Sequence, residues 1–237
     1  MRQHSIHQIQ RLLVLISFLV LLGIGFIVAR ALGFGLNSED GIPAQRFVWA
    51  VFNRQVALIS GHSGYDSGAT CEDEDGTVRS KEADIVAEIS KRVAKRLVQA
   101  GADVTILQEY DTRLEDLQAD VLLSIHADSC IDVSGYKAAR ALNSVIPETD
   151  DRLVNCIDQF YPAATGLTIH SESITHNMTE YHAWHNINPN TPAAILEVGF
   201  LGGDQELLTK QSAIVAKGIS DSLLCFLTHA VTNSTSN

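Results

Sequence analysis

The sequence predicts a three-layer α/β domain, with a twisted, mostly parallel sheet of about six strands and helices on both faces. Two observations support this fold class. Short apolar runs alternate with longer segments in which apolar residues recur every three or four positions. After the first forty or so of the 237 residues, roughly 200 remain, which suits one such domain better than two.

Strands are expected where a short apolar run ends at glycine or at polar residues. These runs are 55–60, 102–108, 120–125, 135–140, 179–187 and 193–200. Helices are expected at 80–100, 150–160 and 212–229. In the first helix, Ser80 is the expected N-cap, and Gly101 follows its end. Its apolar stripe comprises Ile85, Ile89, Val93 and Leu97.

An uncharged apolar segment precedes this domain. Residues 12–29 (LLVLISFLVLLGIGFIVA) are long enough to span a bilayer as a helix. Arg2 and Arg11 come before the segment and favour a cytoplasmic N-terminus, which places the domain on the outer side of the cell membrane. Cleavage after Ala31 and secretion is the alternative. A buried core helix is disfavoured, because the segment is apolar all round.

The predicted organisation is a single-pass transmembrane segment (1–32), a polar linker (33–54), one domain (55–231) and a disordered tail (232–237). The net charge is −11, and lysine and arginine do not cluster. Because contacts to phosphates need a basic surface, this composition argues against nucleic-acid binding.

Four chemically distinctive residues fall at the edges of the predicted elements. His62 follows the first strand, His126 ends the third, Glu82 begins the first helix, and Glu197 lies inside the last apolar strand. Parallel strands bring their carboxyl ends to one edge of the sheet. Two histidines and a carboxylate are ligands of a catalytic zinc ion, and a further carboxylate can act as general base and acid. Each residue alone has an ordinary structural explanation, so this prediction depends on the combination.

These residues lie in four motifs: GHSGYDSGA (61–69), KEAD (81–84), SIHAD (124–128) and LEVGFL (196–201). With these motifs in this order, the chain resembles the zinc-dependent N-acetylmuramoyl-L-alanine amidases of the bacterial cell wall. The resemblance covers roughly residues 55–227.

The resemblance implies that His62, Glu82 and His126 bind Zn²⁺ and that Glu197 is the catalytic carboxylate. The implied reaction is hydrolysis of the amide bond between N-acetylmuramic acid and L-alanine in peptidoglycan. Peptidoglycan and the membrane are therefore the expected partners, and nothing in the sequence identifies a protein activator.

Several positions depart from the family pattern. Ser63 replaces a usual glycine, Ser67 a usual proline and Asp128 a usual asparagine, and residues 71–78 (CEDEDGTV) insert an acidic loop. None of these changes removes a proposed ligand or the proposed base. They affect the expected substrate preference, because loops at strand ends set it.

The four cysteines allow three disulfide pairings in an exported domain. Cys71 with Cys130 is favoured, because both follow loops expected to meet at the site. This leaves Cys156 with Cys225, each on a predicted helix. Four buried free thiols are the alternative.

Further histidines precede Glu197, and one or two of them are expected to line the cleft. In a strand, His182 and His185 would point to opposite faces and could not easily bind one ion. Trp184 is expected in the core or the cleft wall. The histidines of this segment are His170, His176, His182 and His185.

Two other functions remain open. A zinc peptidase that cuts within the stem peptide would use the same ligand set. A catalytically silent wall-binding protein would be expected to have lost a ligand or the base, whereas all four positions are filled here.

Overall fold

The computed structural model describes residues 17, 20–25 and 51–234. The chain divides into two compact units, Met1–Trp49 and Ala50–Asn237. Residues 17 and 20–25 of the first unit are helical. Most of the predicted span at 12–29 lies outside the described residues, as does the linker up to residue 50. In the part that is described, no helix combines the length and the apolar character needed to cross a bilayer.

The second unit contains a five-stranded sheet and a separate hairpin of two short strands. The strands are β1 Gln55–Ser60, β2 Thr70–Glu72, β3 Val78–Lys81, β4 Asp103–Leu107, β5 Val121–Asp128, β6 Lys137–Ala139 and β7 Ala193–Phe200. The main sheet has the order β4-β1-β5-β7-β6, and the hairpin pairs β2 with β3. The strands of the main sheet are parallel except for β6, which runs antiparallel to β7. The mostly parallel α/β fold is thus confirmed, with five strands in the main sheet rather than six.

Three long helices form a layer on one face of the sheet. The helices are α1 Glu82–Gln99, α2 Pro147–Thr165, α3 His176–Thr179, α4 Gln205–Lys210 and α5 Ser212–Ser234. Helix α5 therefore includes residues 232–234 of the predicted tail. In the layer of long helices, α5 packs against both α1 and α2. The buried side of α1 includes Val86, Ile89, Val93 and Leu97.

The opposite face of the sheet is covered by short helical turns. Three 3₁₀ turns at Thr112–Leu114, Ser171–Ser173 and His182–His185 accompany the short α3. Strand residues such as Ile59 and Ile195 pack there against Tyr181 and Ile187. Both faces are covered, as a mostly parallel sheet requires.

Two local predictions were wrong. Residues 179–187 form helical turns rather than a strand, with Tyr181 accepting from the Trp184 N–H and Ala183 from the Ile187 N–H. Tyr181 and Ala183, two positions apart, are both buried. A strand with one buried face would show the same alternation of buried residues. Ser80 does not cap α1, because it lies in β3 and Lys81 occupies the N-cap position without a side-chain hydrogen bond.

Both favoured disulfides are confirmed. Cys71–Cys130 joins β2 to the loop after β5, and Cys156–Cys225 joins α2 to α5.

Candidate active site

Three of the predicted residues converge at the carboxyl edge of the sheet. One donor atom each from His62, Glu82 and His126 lies within 4.8 Å of the others. Nε2 of His62 is 3.3 Å from one oxygen of Glu82, and Nδ1 of His126 is 3.1 Å from the other. In the described residues this is the group of side chains that could hold a metal ion.

Glycine makes the close approach of these residues feasible. Gly61 precedes His62, and a Cβ at Gly61 would lie 2.5 Å from Cε1 of His126. Gly68 has φ +60°, and a Cβ there would lie 2.5 Å from a carboxylate oxygen of Glu82. Any larger residue at either position would collide with a candidate ligand, which explains two of the three glycines of the first motif.

Backbone amides hold Glu82 in place at the start of α1. The N–H groups of Ala69 and Ala127 each donate to one of its oxygens at 3.0 Å. One donor comes from the first motif and the other from β5. Glu82 therefore ties together the loop, the helix and the strand that carry the three donors.

Glu197 lies beside this group on the neighbouring strand. In the sheet Glu197 pairs with His126 on one side and with Lys137 on the other, so the three side chains share one face. Oε2 of Glu197 is buried and has no hydrogen-bond partner in the part of the chain that the structure describes. Burial, with a further contribution from the charge of Glu82, raises the pKa of Glu197 to about 7, although His126 and Lys137 oppose this.

A buried ion pair flanks Glu197, with one partner on each neighbouring strand. The ammonium of Lys137, which is 3% exposed, pairs with the carboxylate of Asp128. Lys137 also donates to the Ser173 carbonyl at 3.1 Å and lies 5.6 Å from the centre of the Phe200 ring. Opposite charges thus lie close to the carboxylate of Glu197.

Sequence reasoning missed Glu109, a buried carboxylate two residues after β4. It accepts hydrogen bonds from the His62 N–H at 2.8 Å, the Tyr181 hydroxyl at 2.8 Å and Nε2 of His182 at 2.9 Å. Its burial alone would raise its pKa, but the hydrogen bond from His182 and the charge of His126 lower that pKa to about 2. The available signal was its position, since Glu109 follows a predicted strand as His62 does.

Asp66 was also missed as an individual residue, although it lies within the first motif. Its Oδ1 accepts from Nδ1 of His62 at 2.6 Å and from the Gly68 N–H at 2.9 Å. When Nδ1 of His62 carries the proton, the lone pair of Nε2 points towards Glu82. This is the tautomer that a metal ligand requires, and an outer carboxylate commonly fixes it.

The later histidines separate as expected. His182 reaches the site through Glu109, whereas His170 bonds to Ser173 and His176 is exposed. His185 is exposed, and its Nε2 lies 3.8 Å from a carboxylate oxygen of Glu180. It therefore does not form a metal site with His182. Trp184 packs against the core.

Comparison with known proteins identifies a family for this chain. The pattern of the N-acetylmuramoyl-L-alanine amidase family matches residues 56–225. No curated protein sequence matches the chain.

Several solved amidase structures are similar to this fold. The catalytic domain of the amidase CwlV from Bacillus (Paenibacillus) polymyxa var. colistinus is 23% identical, with a TM-score of 0.57 over 72% of this chain and 96% of that one. Ami1 from Mycobacterium smegmatis is 15% identical, with a TM-score of 0.57 over 75% and 98%. The CwlD amidase of Clostridioides difficile, solved in complex with the GerS lipoprotein, is 18% identical, with a TM-score of 0.55 over 75% and 100%.

At these identities the structures show the common fold, and the family match carries the assignment. It extends over most of the chain and includes all four motifs. The chain belongs to the N-acetylmuramoyl-L-alanine amidase family.

Proposed function

We propose that this member of the amidase family hydrolyses the bond between N-acetylmuramic acid and L-alanine with one zinc ion held by His62, Glu82 and His126, and with Glu197 as general base. The observation that carries this proposal is the convergence of the three donors beside a buried carboxylate oxygen without a partner. The reaction itself is that of the family.

The side chains present fit a zinc ion. Two imidazoles and one carboxylate are a common ligand set for catalytic zinc and leave a further position open. Burial would lower the pKa of His126, but its hydrogen bond with Glu82 and the charge of Glu197 raise that pKa above its usual value. Glu109 adds a third carboxylate near the same imidazole. A dication at this position would balance the surplus of negative charge.

Zinc at this position would supply the Lewis acidity that makes a water more acidic and stabilises negative charge on a carbonyl oxygen. The attacking water would give a proton to Glu197 while the water oxygen bonds to the carbonyl carbon of the lactyl group. Glu197 would then return this proton to the alanine nitrogen as the C–N bond breaks. The products are a muramic acid carboxylate and a stem peptide with a free amine.

We further propose that residues 12–29 anchor the chain in the bacterial membrane, with the domain at 55–231 on the outer side. The two disulfides support this location, because such bonds persist in oxidising compartments. Secretion after cleavage at Ala31 is the alternative. Fractionation of cells, with N-terminal sequencing of the mature chain, separates the two outcomes.

A digestion of peptidoglycan tests the proposed reaction. The full-length chain, purified in detergent, is assayed for bound zinc and for release of stem peptides with N-terminal alanine. About one zinc per chain is expected, together with such release. Release of fragments cut within the stem peptide would instead identify a peptidase. Folded protein that holds zinc and releases nothing would contradict the catalytic proposal.

Variants assign the individual roles. His126→Ala is expected to lose the metal, whereas His176→Ala, at an exposed position, should retain it. Glu197→Gln is expected to keep zinc and lose at least about 100-fold in activity, since it lacks the base. Full zinc occupancy in His126→Ala, or normal turnover in Glu197→Gln, would overturn the corresponding assignment.

A further inference from the structure

Two exposed tyrosines contact each other at the rim of the site. Tyr65 is 66% exposed and Tyr110 is 56% exposed, and their ring centres are 4.6 Å apart at an interplanar angle of 66°. The other three of the five tyrosines, Tyr136, Tyr161 and Tyr181, are buried. Exposed tyrosine rings therefore occur at this one place in the described residues.

Short connections tie both rings to the candidate metal ligands. The Tyr65 N–H donates to the His62 carbonyl at 3.1 Å. Tyr110 directly follows Glu109, whose carboxylate accepts from the His62 N–H. We call this pair the Tyr65–Tyr110 platform. His62 and Glu109, which help to organise the reacting centre, thus also place the platform beside that centre.

Stacking holds the platform in position. The ring of Tyr110 stacks on His182 with centres 4.2 Å apart and planes 26° apart. His182 is fixed in turn by its hydrogen bond to Glu109. Neither tyrosine hydroxyl makes a hydrogen bond to any other residue of the described chain. Such a surface binds a ligand at a small cost in side-chain entropy.

We propose that the Tyr65–Tyr110 platform binds the sugar rings of the glycan strand next to the muramic acid whose amide is cut. This assignment deepens the proposed function and rests on it. A pyranose ring presents an apolar C–H face to an aromatic ring and a hydroxyl edge to a phenol oxygen. Tyrosine offers both an apolar body and a polar tip.

The layout of the sheet favours a sugar over the stem peptide as the ligand of the platform. The platform follows β1 and β4 on one side of the site, whereas the Lys137–Asp128 ion pair joins β6 to the end of β5 across β7 on the other side. A strand of sugars has many rings to pack on tyrosine, and the linear stem peptide has none. With the glycan on the platform, the scissile amide enters at His62 and His126, and the peptide leaves towards β6.

Binding of the glycan alone tests this proposal. The full-length, zinc-loaded chain is titrated calorimetrically with peptide-free oligosaccharides of alternating N-acetylglucosamine and N-acetylmuramic acid. Tyr65→Ala and Tyr110→Ala are each expected to weaken binding by about tenfold, the size of one aromatic contact. Tyr65→Phe and Tyr110→Phe should retain more affinity than the alanine variants. Leu142→Ala, an exposed residue at the opposite edge, should bind as the parent does.

A kinetic comparison adds a second readout. In Tyr110→Ala, kcat/KM is expected to fall by a larger factor on polymeric peptidoglycan than on a muramoyl dipeptide with one sugar. Equal oligosaccharide affinity in the alanine variants and the parent would overturn the proposal. The proposal would also be overturned if the alanine variants lost affinity for a free stem peptide but not for the oligosaccharide. If the parent chain releases stem peptides but does not bind the oligosaccharide, the platform is refuted and the amidase function stands.

Discussion

Glu109 lies beside the ring of His126, with Oε2 of the carboxylate 3.7 Å from Nε2 of the imidazole. Nδ1 of the same ring faces Glu82 at 3.1 Å, so the two ring nitrogens face two different carboxylates. Glu109 also accepts from the backbone N–H of His62. One side chain outside the ligand set therefore contacts both candidate histidine ligands.

Glu109→Gln is expected to weaken zinc binding by about 10- to 100-fold, because partners of metal-ligating histidines orient the ligands and raise their basicity. Titration of the metal-free chain with zinc against a competing chelator measures this affinity. Glu115→Gln, at an exposed position, is the matched control. Equal affinity in Glu109→Gln and the parent would show that Glu109 does not act through the histidines.

Glu197→Gln should make the metal-free protein more stable at alkaline pH. Burial raises the pKa of Glu197 to about 7, above the ordinary value of 4.5. An acid with a raised pKa penalises folding above that pKa, and the penalty disappears below the unfolded value. Urea unfolding should therefore show a gain on the order of 3 kcal/mol for the variant at pH 8 and none at pH 4. A gain that is the same at both pH values would contradict a buried, ionising carboxylate.

Lys137 and Asp128 should shift the pH profile of the enzyme in opposite directions. The charge of Lys137 lowers the pKa of Glu197, and that of Asp128 raises it. A general base works when deprotonated, so the acid limb of kcat/KM follows this pKa. Lys137→Met should move the limb to higher pH and Asp128→Asn to lower pH. Shifts in the same direction would show that these charges do not act through Glu197.

The two disulfides should differ in their effect on the site. Replacing Cys156 and Cys225 by serine should lower the free energy of unfolding by about 2–5 kcal/mol, with unchanged zinc affinity, because this bond joins two helices away from the site. Replacing Cys71 and Cys130 should lower both quantities. Cys71 is two residues from Ala69, whose N–H binds Glu82. Thermal unfolding and chelator competition measure the two effects, and equal zinc affinities in the two double variants would contradict this difference.

Much of the candidate site could be predicted because its residues stand where local patterns change. His62 and His126 follow apolar runs, and Glu82 begins an amphipathic helix. Their roles as ligands, like that of Glu197 as base, stay predictions. Glu109 occupies a comparable strand-end position, but a single carboxylate in a polar segment is more often a surface residue. Its burial depends on Tyr181 and His182, more than seventy residues later.

The sequence by itself determined the α/β class, the order of the four motifs and the family, because periodicity and motif spacing are local properties of the chain. Only the tertiary structure decided that the main sheet has five strands and that 179–187 forms helical turns. Burial of alternate residues is common to a strand and to these turns. Tertiary structure also decided the approach of Glu109 to His126 and of Tyr65 to Tyr110. The members of each pair lie in or after different strands, and their distances are set by how the sheet packs rather than by either segment alone.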